Sequence, residues 1–238
     1  MKVDAAIIGG TGVGTLLAQE PGRTIHIPTR YGVVGGRLIA IGPKSVLLLS
    51  RHSAGHSVPP HKVNYRGMAM ALQQVGVGIC FATAAVGSLS VSRPVGTFVA
   101  CSDFLDLSGR NLTLHDDQVV HTPFAQPFGP RARAAILSSK QFQIEDGGTY
   151  LGLNGPRFET PHEIQMLSAI GDVVGMTAAS EAILMKEAGI EYGLLAIVTN
   201  LGEGLGGPVE HGLVGDVMHS LGPQAVKIMK SAVEAVSE

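Results

Sequence analysis

Two uninterrupted apolar runs constrain this chain more than any other feature. "GICFATAAVGSL", Gly78 to Leu89, and "YGLLAIVTNL", Tyr192 to Leu201, have the length of strands and hardly a polar residue before their ends. Such runs suit strands buried on both faces of a covered sheet rather than strands with one side in water. Segments of helical spacing lie between them. Val63, Met68, Ala71, Leu72 and Val75 fall on one face of an amphipathic helix over Lys62 to Val75. Further helices are expected over Pro130 to Lys140, Pro161 to Ile170, Ala178 to Gly189, and from Glu210 onward with a bend or restart at Gly222-Pro223. "AAIIGG" is a first strand, and "GRLIAIG" and "SVLLLS" form a hairpin about Gly42-Pro43. "GTFVACSDFLDL", "GGTYLGLNG" and "DVVGMT" supply the remaining strands. The expected architecture is α/β: a single domain over residues 1–238, with a mixed central β-sheet flanked by helices.

With 45% hydrophobic and 15% charged residues, the 238-residue chain can bury one full core. A formal net charge of -2 excludes binding to nucleic acid or to an anionic membrane by charge alone. The opening "MKVDAAIIGGTG" is interrupted by Asp4 and ended by glycines, well short of a membrane span. Cys80 and Cys101 sit in apolar contexts, which fits buried thiols in a reducing cytoplasm better than a disulfide.

Several clusters can carry chemistry. "GGTG", Gly9 to Gly12, follows the first strand and reads either as a tight turn or as a cradle for an anion; it lacks both the GxGxxG spacing and the lysine of a P-loop. "RHSAGHSVPPH" places Arg51, His52, His56 and His61 just after a strand, where Arg with His suits a dianion. The alternatives there are a solvated loop or a metal, and the spacing across Pro59-Pro60 matches no zinc pattern. "AVGSL" is not GxSxG, so Ser88 has no nucleophile elbow. In "VVGMTAASE", Thr177 is either a helix N-cap or a hydroxyl for phosphate, with Ser180 and Glu181 in the turn behind it. Asn200, ending "AIVTN", either starts a turn or reads a purine edge, which asks for a donor and an acceptor together. In "GPRFETPHE", Thr160, Pro161 and Glu163 form a capped helix start, and Arg157 suits a structural salt bridge.

Taken in order, "IIGGTG", "RHS..H..PPHKVNYRGM", "AAVGSL", "HTPFAQPF", "GPRFETPHE", "DVVGMTAASE" and "VTN" resemble the trimeric purine nucleoside phosphorylase superfamily, particularly its 5'-methylthioadenosine phosphorylase branch. The resemblance runs from Ile7 to Asn200. It implies a purine nucleoside phosphorylase-like fold and phosphorolysis, with inorganic phosphate as co-substrate and no cofactor or metal. It implies a phosphate set of Gly10, Thr11, Arg51, His52, Ala85 through its backbone, and Thr177. Met176 is expected at the ribose and Phe158 against the base or sugar. His121 is expected to reach a neighbouring site within a homotrimer.

The same resemblance bears on the base. The methylthioadenosine enzymes usually carry Asp where this chain has Asn200, whereas Asn there accompanies a Glu such as Glu159 in the 6-oxopurine enzymes. Asn200 and Glu159 together imply a 6-oxopurine. Ala84 replaces a common Thr, so that hydroxyl is missing or supplied by Thr83 or water. For the 5' group, Leu213 and Val217, one helical turn apart, favour a methylthio group and His211 a hydroxyl. The first makes the substrate 5'-methylthioinosine, the expectation adopted, and the second inosine or guanosine. A 5'-methylthioadenosine phosphorylase, a nucleoside hydrolase and a nucleoside-binding protein are the alternatives.

Overall fold

The two apolar runs lie side by side and parallel, paired from Glu191 opposite Ile79 to Leu201 opposite Ser88. A computed structural model of the chain describes residues 2–53, 55 and 57–236. In order they form β1 (Ala5–Gly9), α1 (Val13–Ala18), β2 (Arg23–Thr29), β3 (Gly32–Ile41), β4 (Lys44–Ser50), α2 (Tyr65–Gln74) and β5 (Ile79–Ser88). There follow β6 (Phe98–Ala100), β7 (Asp103–Asp106), α3 (Pro130–Leu137), β8 (Ile144–Asp146), β9 (Thr149–Gly152), α4 (Pro161–Leu167), β10 (Val173–Gly175), α5 (Ala178–Glu187), β11 (Glu191–Leu201) and α6 (His211–Ala235). One mixed sheet contains these strands. β1 runs parallel to β4 and β5, the hairpin β3–β4 is antiparallel, and β10 meets the far end of β5 antiparallel.

Burial on both faces explains the apolar runs. Leu194, Ala196 and Val198 join the core shared with α2 and α5, while Leu195 and Ile197 join the core shared with α1, α3 and α6. β1 and β4 alternate in the same way, with Ile8 and Leu49 on one side and Ile7 and Leu48 on the other.

Two expectations are corrected. "GTFVACSDFLDL" is two strands: β6 pairs with β11, after which the Cys101 N–H donates to Leu194 O, the Ser102 N–H donates to Gly148 O, and β7 pairs with β9. α6 passes through Gly222-Pro223 without restarting. Its buried stripe, Met218, Gly222, Ala225, Met229 and Ala232, packs against the sheet body on both sides of the proline, and that burial outweighs a proline's cost of about 3 kcal/mol. No described helix is long and apolar enough to cross a membrane.

Candidate active site

A cavity of about 410 Å³ opens where β5 and β11 end, and the segments after β1, β4 and β10 converge on it. One part is lined by Thr11, Arg51, His52, Ala84, Ala85 and Thr177, and another by Phe158, Glu159, Val174, Met176, Thr199 and Asn200. Most residues expected at a phosphate and a purine nucleoside therefore share one space.

Arg51 is held by a buried network. Its Nε and Nη2 donate to Glu181 Oε1 and Oε2 at 2.5 and 2.8 Å, and Nη1 donates to Thr83 O at 2.8 Å. The Tyr192 hydroxyl donates to Glu181 Oε2 at 2.6 Å. Burial opposes the Arg51 charge, but Glu181 outweighs it and holds the guanidinium above its ordinary range; burial and Glu181 push the Tyr192 hydroxyl well up. The ion pair is neutral as a unit, so it offers an anion the remaining N–H groups on Nη1 and Nη2 rather than a net charge. Glu181 is the functional residue that sequence reasoning left without a role. Its signal was a lone carboxylate on the otherwise apolar "SEAILM" turn, which needs a buried partner.

The backbone opposite Arg51 must be glycine. A Cβ on Gly10 would lie 2.5 Å from Arg51 Nη1 and 2.6 Å from Thr83 O. Gly10 itself is placed differently from expectation. Its N–H donates to Thr83 Oγ1 at 3.1 Å, so it seats Arg51 and does not line the cavity. Thr83 accepts that bond through its hydroxyl, is buried and does not line the cavity, so it does not replace the hydroxyl missing at Ala84, which does line it.

His52 is oriented by Val58 O, 2.8 Å from Nδ1. A carbonyl only accepts, so Nδ1 carries the proton, and in the neutral ring Nε2 is the basic nitrogen. Thr177 precedes α5 but makes no side-chain capping bond; the N–H groups of Thr177 and Ala178 donate to the buried Tyr150 hydroxyl at 3.0 and 3.2 Å. Thr177 itself lines the cavity, and its side chain has no capping duty. His56 lies outside the described residues. His61 is exposed, and no described group of His, Cys, Asp and Glu is arranged to hold a metal.

At the other part of the cavity a β-bulge aims the side chains. Val198 pairs with Val86 and Asn200 with Gly87, leaving Thr199 as the extra residue, so that Thr199 and Asn200 both line the cavity. Asn200 Nδ2 donates to Leu201 O at 3.0 Å, and the Thr199 hydroxyl donates to Asn200 Oδ1 at 3.0 Å or to Val86 O at 3.2 Å. A flipped amide would set Oδ1 against the Leu201 carbonyl, so the orientation is fixed. One N–H and one lone-pair direction then remain for a ligand. Gly87 gives the amide room: a Cβ there would lie 3.1 Å from Asn200 Nδ2 and 3.2 Å from Val174 Cγ1.

Phe158 and Glu159 sit on a braced loop. Glu163 accepts from Arg157 Nη1 and Nη2 at 2.8 Å each and from the Thr160 N–H at 2.8 Å, while its own N–H donates to Thr160 Oγ1 at 3.2 Å. The capping box and the salt bridge of Arg157 therefore share one carboxylate and bracket the pair between them. The Arg157 and Thr160 hydrogen bonds pull Glu163 down to about 2. Partial burial pushes Glu159 above the usual carboxylate range, and the charge of Glu163 adds to this.

Three expected residues lie elsewhere. His211 and Val214, not Leu213 and Val217, line the main cavity. Leu213 and Val217 line an adjoining cavity of about 400 Å³ that shares Thr199 and Asn200. The reason is the phase of α6, whose Val214 and Met218 turn into the body while Leu213 remains 52% exposed. His121 is exposed between β7 and α3 and does not line the cavity.

The family model described as the phosphorylase superfamily matches residues 4–234. The chain is 36% identical over 245 residues to the 6-oxopurine nucleoside phosphorylase of Pyrococcus furiosus, covering 97% of this chain and 92% of that one. It is 33% identical over 242 residues to a Methanopyrus kandleri protein named "probable S-methyl-5'-thioinosine phosphorylase", covering 98% and 93%. Among solved structures, methylthioadenosine phosphorylase from Schistosoma mansoni in complex with adenine superposes with a TM-score of 0.89 at 28% identity, over 98% of this chain and 91% of that chain.

Proposed function

Because this chain belongs to the phosphorylase superfamily, we propose that it cleaves purine nucleosides by phosphorolysis, with 6-oxopurines preferred. The observation that carries this reading is the convergence of Arg51, His52, Thr11 and Thr177 with Glu159 and Asn200 on one cavity. Phosphate, held by the first group and by the Ala85 backbone, attacks C1' as the bond to N9 breaks. The products are the free base and a sugar 1-phosphate. Negative charge on the departing purine is met at O6 by the Asn200 N–H and relieved by uptake of a proton at N7, which balances the proton the hydrogen phosphate gives up on becoming the sugar phosphate; Asn200 Oδ1 accepts from that N7–H. Glu159 accepts from N1–H. Catalysis then rests on placement and on hydrogen bonds aimed at developing charge. The chemistry needs no cofactor.

His211 in the main cavity favours a 5'-hydroxyl, hence inosine or guanosine. The second reading, 5'-methylthioinosine, draws support from Val214 beside it and from the name of the Methanopyrus relative. We propose further that the protein is a cytoplasmic homotrimer in which His121 reaches a neighbour's site. Exposed Leu105, Leu107, Val119 and Val120 in the same region support burial against another copy. Mass measured by light scattering tests this; a monomer overturns it.

The activity is tested by incubating the protein with inosine, 5'-methylthioinosine, adenosine and 5'-methylthioadenosine, with and without phosphate, and measuring free base. Release should require phosphate and favour the inosine pair. Undiminished release without phosphate would replace phosphorolysis by hydrolysis, and binding with no release would leave a nucleoside-binding protein.

A further inference from the structure

Arg110 lines no part of the cavity, yet its guanidinium ties together segments that build the walls. It is delivered by two short turns after β7, in which the Ser108 N–H donates to Asp106 Oδ1 and the Arg110 N–H donates to Ser108 Oγ. Nε donates to Asn154 Oδ1 at 2.8 Å and Nη2 to Asn154 O at 2.7 Å. Nη1 donates to Ser180 Oγ at 2.9 Å and to Tyr65 Oη at 3.2 Å, and the guanidinium carbon lies 5.2 Å from the Tyr65 ring centroid.

Each partner stands one step from the cavity. Asn154 leads into Gly155 and the wall segment Pro156 to Glu159; Gly155 is packed so closely on Met176 that a Cβ there would collide with its sulfur. Ser180 lies in the first turn of α5, just behind Thr177. The Tyr65 hydroxyl donates to Pro60 O at 2.8 Å and lies 3.5 Å from Met176 O, and Pro60 and Met176 both line the cavity. One rigid planar side chain thus spans the Phe158–Glu159 loop, the Thr177 turn and the Pro60 wall. A fork with fixed donor directions holds such an arrangement where a flexible ammonium does not.

We propose that Arg110 is a positioning residue that sets the purine wall against the phosphate wall. This rests on the phosphorolytic reading for its kinetic consequence, since displacement of about 1 Å between reacting partners is enough to cost roughly 100-fold in rate. It predicts that Arg110→Met lowers kcat at saturating inosine and phosphate by about 10- to 100-fold. Arg110→Lys should recover only part of the loss, because one ammonium cannot reach Asn154, Ser180 and Tyr65 together. Tyr65→Phe, which keeps the ring and removes only the hydroxyl link, should show a smaller loss in kcat.

The test measures kcat and KM for both substrates on wild type and the three variants, with thermal melting to establish that each is folded. Hypoxanthine affinity by calorimetry is measured alongside. Hypoxanthine should bind Arg110→Met more weakly by a factor of about three to ten, because its wall has lost the Asn154 anchor. Folded variants with wild-type kcat and hypoxanthine affinity, whatever their melting temperatures, would reduce Arg110 to a structural brace. If wild type itself showed no phosphorolysis, the functional reading would fall, and the hypoxanthine affinities would still decide the role of Arg110. Should Arg110→Met not fold, Arg110→Lys and Tyr65→Phe carry the same two readouts.

Discussion

Replacing Arg51 by Ala would do two separable things. Its side chain is 1% exposed and that of Glu181 0%, so the change strands a buried carboxylate with the Tyr192 hydroxyl as its remaining described donor. Breaking a buried pair from one side costs about 3–5 kcal/mol. For a chain of this size that is a fall of roughly 6–20 °C in Tm. Separately, a charge-assisted bond to phosphate worth about 1.5–3 kcal/mol is lost, raising the phosphate KM roughly 10- to 150-fold. The double variant Arg51→Ala/Glu181→Gln distinguishes the two effects. It removes the stranded charge and should recover more than half the lost stability by urea unfolding, with phosphate saturation still impaired. The reasoning is refuted if Arg51→Ala alone stays within about 1 kcal/mol of wild type. It is equally refuted if the double variant saturates with phosphate as wild type does, since Arg51 then has no part in the site.

Asn200→Asp should raise the adenosine-to-inosine ratio of kcat/KM at least about tenfold, because a protonated carboxyl supplies the opposite pattern to a 6-amino edge; an unchanged ratio removes Asn200 from the base. Glu159→Gln should depress inosine turnover far more than adenosine turnover. Glu159 accepts from N1–H far more strongly when ionised, and its carboxyl is raised above 4.5, so inosine kcat/KM, corrected for phosphate ionisation, should begin to fall at a pH above 4.5 as acid is added. That limb should vanish in the Gln variant, and a wild-type profile flat to pH 4.5 contradicts the assignment. His211→Ala should raise the KM for inosine several-fold while sparing 5'-methylthioinosine, and equal effects on both would remove His211 from the 5' group.

The fold was legible where burial dictates composition. β5 and β11 announce themselves because both faces are covered, and α4 announces itself because Thr160, Pro161 and Glu163 are the residues a helix start needs. The break between β6 and β7 was hidden because Cys101 and Ser102 leave one ladder for another through backbone bonds that any side chain permits. Site residues were legible as a set but not in their division of labour. Gly10 looks the same in sequence whether it touches an anion or makes room for Arg51, and only the position of Nη1 decides. The phase of α6 did leave a signal: the apolar stripe from Val214 continues through Met218, Gly222, Ala225 and Met229 along the helix, whereas the one from Leu213 fades after Leu221. The bulge at Thr199 left none, since "IVTNL" reads as plain strand.

That extra residue bears on how such a chain changes over generations. From Leu194 to Val198 each side chain of β11 is committed alternately to one core or the other, and a substitution there must be repacked by its neighbours. Past the bulge the alternation restarts, and Asn200 faces a cavity and a glycine instead of a core. On the proposed reading of Asn200 as the residue that meets the base, a lineage can therefore exchange the side chain at position 200, and with it the base preferred, by single mutations that leave the packing of the sheet alone. On that reading, selectivity and foldability are inherited on opposite sides of one residue.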